Sequence, residues 1–486
     1  MFLGIDIGTS SVKAVLTDAD ESIVAQTSSP LFVSRPAAGF AEQDPDAWWQ
    51  ATVKAVSALP KAHRAAVKAV GLSGQMHGAT LLDDQDRPLR PAILWNDGRS
   101  ARECSDLEER EPRSRTITGN RVMPGFTAPK LLWVARHEPE LFRRSACVLL
   151  PKDFVRLKLT GEKITDMSDA SGTSWLDVGR RQWSDQMLAA TDLTRAQMPK
   201  LVEGTAPAGM IRASAADMLG ISRVLVAGGG GDNAASAVGM GVVTPGQAFL
   251  SLGTSGVLFV VTDKFRPNAE RAAHAFCHSL PGRWHQMAVL LSAASALDWV
   301  AKLTGQADLL RLTAAAEAQG IRRNSPIFLP YLSGERTPHN DPNARGVIFG
   351  ISPDTSPTDL VGAVLEGVAL AFADGLDALI QTGDAIGEIN VTGGGTRIAY
   401  WGRLLSAALN RPLTYRLGNE VGAALGAARL ARLALTNERP EQLCVAPPID
   451  RIVVPDAALV SLLASRRQIF VRLYQDLKHT FAEYSA

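Results

Sequence analysis

Two carboxylates stand where an ordinary core would not put them. Asp6 lies inside the apolar run FLGIDI, just before a Gly8-Thr9-Ser10 turn. Asp232 follows four glycines, Gly228 to Gly231, and precedes the small-residue run NAASA. Glycine and hydroxyl loops offer backbone N–H groups to anionic oxygens at close range, because no Cβ intervenes. An acid beside such a loop would repel phosphate. Magnesium removes that conflict, since it takes oxygen ligands from carboxylate and phosphate together. Asp6 is therefore expected to support magnesium. Lys13, on the next apolar run, reads equally well as a counter-charge for phosphate or as a solvated strand residue. Asp232 fits two roles equally: a cap for the helix that follows, or a general base toward a substrate hydroxyl.

His274 and His278 stand four apart, a zinc spacing if they share a helix. Pro281-Gly282, between two β-like runs, reads instead as a hairpin turn. The two histidines are then strand residues, and no metal is expected there.

The elements that must place these residues repeat along the chain. FLGIDIGTSSVKAVLTD (2–18) and QAFLSLGTSGVLFVVTD (247–263) share a Gly-Thr-Ser turn between two apolar runs. Each reads as a β-hairpin. Asp6 aligns with Ser251, so only the first copy carries an acid. A demand of the fold would act on both copies, and the asymmetry points to chemistry. VLVAGGGGDNAASA (224–237) and INVTGGGTRIAYWGRLLSAAL (389–409) form a second pair, each a strand, a glycine cluster and a helix. The order implies an internal duplication, with a boundary near the Pro245-Gly246 turn. It divides the chain into domains 1–244 and 245–486.

The 486 residues suit two to four domains at roughly 100–200 residues each. With 50 Lys+Arg against 49 Asp+Glu, no nucleic acid or anionic membrane is expected as partner. The four cysteines are scattered without a CxxC pair, which suits reduced thiols in a cytoplasmic protein. Neither a leader segment nor an apolar run of membrane-spanning length is read. P-loop and Rossmann fingerprints are both missing. Gly422 and Gly426, four apart, read as a closely packed helix. The apolar stripe Ile469, Phe470, Leu473, Tyr474, Leu477 and Phe481 reads as core.

Taken together, GIDIGTSSVKAVLTD, GGGGDNAA, SLGTSG and VTGGGTR resemble the FGGY carbohydrate kinases, a branch of the hexokinase and actin superfamily. GFTAPKLLWVARH (125–137) and GVIFGISPDTSPTDLVGAVLE (346–366) are similar to that family's signatures. SGQMHGATLLD (73–83), ILWNDGR (93–99) and YLSGERTPHNDPNARG (331–346) look most like the members that phosphorylate D-xylulose.

The resemblance implies an α/β fold of two actin-like, ribonuclease H-like domains flanking a deep cleft. ATP would lie mostly on the second domain and the sugar on the first. Met76, His77, Asp232 and Asn233 would touch the sugar. Asp232 would be the base, facing across the cleft from Asp6, the magnesium support. Thr9, Ser10, Gly253 and Thr254 would hold phosphates. Gly394 and Gly395 would meet the adenosine, with Asn410 a further candidate. The resemblance also suggests a homodimer. Related members act on ribulose, gluconate or glycerol, and an actin-like ATPase without a sugar is a further alternative. The xylulose-type members carry three glycines before the acid. The fourth here is expected to loosen the loop slightly.

Overall fold

The structure is a computed structural model and describes residues 1–305, 308–380, 386–417 and 422–485. In the first half, β1 (Phe2–Ile7) and β2 (Ser11–Thr17) form the expected hairpin, extended by β3 (Ile23–Pro30). β4 (Ala69–Gly74) lies parallel to β1 on its other side and pairs Ser73 with Asp6. β5 (Pro207–Met210) and β6 (Leu225–Ala227) give the order β5-β6-β4-β1-β2-β3. The short β7 (Gly230–Gly231) continues the line of β6 and pairs with Ser73 and Gly74 of β4.

The second half follows the same plan. Its strands are β8 (Ala248–Leu252), β9 (Gly256–Thr262), β10 (His274–Cys277), β11 (Trp284–Leu290), β12 (Ile389–Thr392), β13 (Leu413–Arg416) and β14 (Ile449–Val453). Their order is β10-β11-β9-β8-β12-β13-β14. β8 and β9 form an antiparallel hairpin, β12 runs parallel to β8, β13 parallel to β12, and β14 antiparallel to β13. The same succession leads from β1 through β4 and β6 to β5.

That topology corrects one of the repeat pairs. β12 stands beside β8 as β4 stands beside β1. The counterpart of the Gly393–Gly395 loop is therefore the loop after β4, which carries Met76 and His77. It is not the glycine run before Asp232. A strand, glycines and a helix recur at several places in a parallel sheet, and the pattern alone does not say which.

The helices that matter for the site are α1 (Thr127–His137), α2 (Pro151–Thr160), α3 (Asp232–Gly239), α4 (Ala294–Leu303), α5 (Pro357–Ile380), α6 (Ala399–Leu409), α7 (Gly422–Thr436) and α8 (Ala457–Ser485). α7 comes late in the sequence yet packs on the first sheet. A Cβ on Gly4 would stand 1.9 Å from the Ala424 carbonyl oxygen, and one on Gly71 1.8 Å from that of Ala427. Only glycine lets helix and sheet approach so closely. Gly426 meets α3 in the same way, 1.8 Å from the Ala235 carbonyl oxygen to its notional Cβ. The Gly422–Gly426 spacing thus serves a close helix crossing, as read from the sequence.

Each sheet has its own apolar core, around Leu3, Ile5, Leu72 and Trp48 in the first half and around Leu250, α5 and Trp401 in the second. A third cluster joins the halves: Met76, Phe126, Ala237 and Met240 against Phe249, Phe259, Phe276 and Met287. On α8, Phe470, Tyr474 and Phe481 are buried, whereas Ile469 is partly exposed. β10 and β11 form the expected hairpin around Pro281-Gly282, and His274 Nδ1 lies 3.1 Å from Asn120 Oδ1. Among the described residues no group of three or more His, Cys, Asp or Glu could hold a metal ion. No helix among them is long and apolar enough to cross a membrane. All four cysteines are buried and unpaired.

Candidate active site

Asp6, Lys13, Asp232, Asn233, Ser251 and Thr392 line one cavity of about 310 Å³. Both halves contribute. Ser73 has Asp6 of β1 on one side and Gly230 of β7 on the other. Asp232, two residues beyond Gly230, therefore stands beside Asp6 on the same wall. The expectation that the two acids face each other across the cleft is corrected here. The sheet register makes them neighbours despite their separation in sequence.

This neighbourhood sets their protonation. Burial pushes the Asp232 carboxyl up to about 7, and the adjacent Asp6 charge adds to the shift. Two hydrogen bonds from Asn233 oppose it, from the backbone N at 2.7 Å and Nδ2 at 2.9 Å, both to Oδ1. Oδ2 keeps no protein partner among the described residues. Burial raises Asp6 too, against a 3.0 Å hydrogen bond donated by Ser73 Oγ and the charge of Lys13. Lys13 is exposed on β2, directly opposite Asp6 in the register.

The loop that carries Asp232 is clamped from behind. Arg156 of α2 donates to the carbonyls of Ala227 and Gly228, and Ser168 Oγ accepts from Gly231 N at 3.0 Å. Lys152 ties the buried carboxylates of Asp153, Asp166 and Asp169 together at 2.6, 2.9 and 3.1 Å. None of the four glycines is slack. A Cβ on Gly228 would stand 2.2 Å from the Glu203 carbonyl oxygen, and one on Gly229, at φ +80°, 2.1 Å from that of Leu72. The expected loosening is replaced by tight backbone packing.

Met76 packs against Gly231, 2.9 Å from its notional Cβ to Met76 Cγ, which brings the β4 loop next to Asp232. His77 follows in a left-handed conformation, φ +72°. Its Nδ1 lies 2.7 Å from the Gly172 carbonyl oxygen. Burial, with the charge of Lys130 behind it, pushes the imidazole down to about 3, so the ring is neutral. A carbonyl only accepts, so Nδ1 carries the proton and Nε2 is left as an acceptor. The unusual backbone is held through its carbonyl, which receives Thr127 Oγ1 at 3.1 Å and Lys130 Nζ at 3.0 Å. Both donors belong to GFTAPKLLWVARH. Sequence reading took that segment as a signature without finding this task, because the contact spans some 50 residues.

The other expected residues fall into three groups. Thr9 Oγ1 is engaged inside the first half, donating to Gln75 Oε1 and accepting from Trp95 Nε1, both at 3.0 Å, while Ser10 is exposed. At the second hairpin Thr254 is exposed. The Gly253 and Thr254 carbonyls accept from Ala294 N and Ala293 N at the start of α4. Gly393 lines the cavity, Gly394 is exposed, and Gly395 is buried against Leu252 and Trp401. Asn410 does not join them. It is the left-handed C-cap of α6, exposed, at the far end of that helix from the glycine loop. Eleven residues of helix put about 16 Å between the two. Ser251 and Thr392 were not named as site residues from the sequence. The alignment of Ser251 with Asp6 was the available signal.

The residues fit a kinase site in their donor set. Magnesium keeps most of its water and takes one or two carboxylates plus phosphate oxygens, and two carboxylates share this cavity beside glycine loops.

The chain matches the FGGY family of carbohydrate kinases along most of its length, the N-terminal domain over residues 1–239 and the C-terminal domain over 248–435. It is 53% identical to the xylulose kinase of Escherichia coli strain K12, over 98% of this chain and 99% of that protein. The crystal structure of a xyloylose kinase from Brucella ovis superposes with a TM-score of 0.95 at 50% identity, covering 99% of both chains. The xylulose kinase from Rhodospirillum rubrum does so with a TM-score of 0.92 at 29% identity, again over 99% of both. The two like sheets thus belong to the actin-like, ribonuclease H-like fold, and the chain is a carbohydrate kinase of the FGGY family.

Proposed function

We propose that the chain transfers the terminal phosphoryl group of ATP to O5 of D-xylulose, giving D-xylulose 5-phosphate for xylose catabolism. The observation that carries this reading is the placement of Asp232. Asp232, whose Oδ2 has no protein partner among the described residues, lines a cavity built from both halves, with Met76 packed against the preceding glycine. The xylulose kinases among the relatives support the choice of sugar.

Phosphoryl transfer asks the protein for alignment and charge stabilisation more than for covalent chemistry. Asp232 accepts the proton of the sugar hydroxyl as its oxygen bonds to phosphorus. A carboxyl raised to about 7 is well matched to that step at neutral pH. Asp6 would hold magnesium, whose charge offsets that of the phosphates. His77 Nε2 accepts from a sugar hydroxyl, and Asn233 fixes the Asp232 carboxylate. The backbone at Thr9, Ser10, Gly253 and Thr254, with Lys13, grips the phosphates. Gly394 and Gly395 border the adenosine. Residues 1–244 thereby bring the sugar and the base, residues 245–486 the nucleotide, and α7 reaches back across that division. Closure of the halves keeps water, a competing nucleophile, out of the cavity.

The test is Asp232→Ala. kcat is expected to fall by about 10²–10⁴-fold, with the thermal transition retained. Near-normal turnover in a folded variant overturns the assignment of the base.

A further inference from the structure

Arg336 belongs to the second half, in the segment YLSGERTPHNDPNARG (331–346). Its backbone is firmly held. Glu335 Oε1 accepts from Leu291 N at 2.9 Å and from Arg336 N at 2.7 Å. Thr337 N donates to the Val289 carbonyl at 3.0 Å, and Thr337 Oγ1 to that of Ala272 at 2.8 Å. From this anchor the guanidinium reaches the first half. Arg336 Nη2 lies 4.0 Å from where a Cβ on Gly125 would stand. The Gly125 carbonyl shares Lys130 Nζ with the carbonyl of His77. Arg336 therefore sits against the strut that holds His77, and its charge helps keep that imidazole neutral.

A guanidinium has five N–H donors. Here none has a hydrogen-bonded or ion-paired partner among the described residues, and the side chain is only partly exposed. A half-buried guanidinium with no protein acceptor is completed by water or by the acceptors of a ligand, and a ligand that displaces the water must supply them. The neighbouring Glu335 does not fill the role. Its Oε1 is spent on two backbone N–H groups, its buried Oε2 makes no hydrogen bond to the guanidinium, and burial pushes the carboxyl up to about 8.

We propose that Arg336 is a sugar contact that reads the carbonyl end of the ketose. The inference rests on the D-xylulose reading above. With O5 at Asp232, the C1–C2 end of an open-chain pentulose extends away from that acid, past Met76 toward His77. That end carries a carbonyl oxygen, which only accepts, next to a hydroxyl, which also donates. His77 has committed its one N–H to Gly172 and offers only an acceptor, so it serves the hydroxyl and cannot serve the carbonyl. The unpaired donor beside it is Arg336. The planar fork of a guanidinium also matches two adjacent oxygens in a way a lysine does not. On this account the first half holds the reacting end of the sugar and the second half recognises the other end. Sugar recognition then depends on both halves being in place.

The test compares dissociation constants for D-xylulose and for xylitol, the same skeleton with the carbonyl reduced, by titration calorimetry. The wild type should prefer the ketose by about tenfold or more, the scale of a hydrogen bond to a charged group. Arg336→Ala should bring the two affinities together through a loss on D-xylulose, with the ATP KM unchanged. Arg336→Lys, which keeps the charge but not the fork, should fall between and carries the test if the alanine variant does not fold. Equal loss on both sugars, or an unchanged ratio, overturns the proposal and leaves the kinase reading intact. A wild type that does not bind D-xylulose overturns both.

Discussion

The two hairpins hold the same Gly-Thr-Ser turn at the same place in two like sheets, and they differ at the position two residues before it. Asp6 pairs with Lys13 on β2 and Ser73 on β4. Ser251 pairs with Val257 on β9 and Thr392 on β12. Both side chains line the same cavity. The first hairpin surrounds an acid with a hydroxyl donor and a cation, and the second surrounds a hydroxyl with an apolar residue and another hydroxyl. The strand pairing is equally regular in each, so the fold does not require the acid. A duplicated scaffold has kept its loop geometry on both sides and placed the charge on one.

If that asymmetry is chemical, Asp6→Ala should lower kcat by about 10²-fold, the scale of losing one charge-stabilising group. It should also shift the magnesium titration of the rate to higher concentration. An unchanged titration would remove Asp6 from any metal role. The loops after β4 and β12 are counterparts as well, and His77 should mark the former as the sugar's. His77→Ala should raise the sugar KM by about tenfold and the ATP KM far less, and the reverse pattern would move His77 out of the sugar site.

The same charge placement has a cost in stability. The Asp232 carboxyl titrates near 7 in the folded chain and at about 3.9 when unfolded. A group raised in this way lends stability that is full below the unfolded value and is lost as pH rises through 7. Asp232→Asn removes the loss. Its metal-free form should melt about 2–4 °C above wild type at pH 8 and alike near pH 4, by scanning calorimetry. A gain that is equal at both pH values would mean that repulsion from Asp6 and burial are not its source. The smallest effect belongs to the second hairpin. Ser251→Ala should change kcat by less than about threefold, the modest scale of one neutral hydrogen bond, and a loss as large as that of Asp6→Ala would erase the comparison.

Local pattern made the hairpins legible, because a turn of small residues between two apolar runs has few other readings. Asp6 and Asp232 were legible as acids in places where the core gains nothing from them. Their adjacency was not, since it depends on β7 pairing with β4, and a strand of two glycines carries no periodicity. The equivalence of the β4 and β12 loops was hidden for a similar reason. Parallel strands bring distant segments together, and only the sheet order says which ones. Lys130 and Arg336 act at His77 from 53 and 259 residues away. Asn410, a candidate that came from the family resemblance, lies at the other end of α6 from the glycine loop.

The central claim is the reaction itself, and a coupled ADP-release assay addresses it most directly. Purified protein with ATP and magnesium would be offered D-xylulose, D-ribulose, hexuloses, gluconate and glycerol in turn. The account predicts that D-xylulose stimulates ADP release with the highest kcat/KM of the set and that D-xylulose 5-phosphate accumulates in step. Sugar-independent ADP release, or a clear preference for glycerol, gluconate or another ketose, would contradict it.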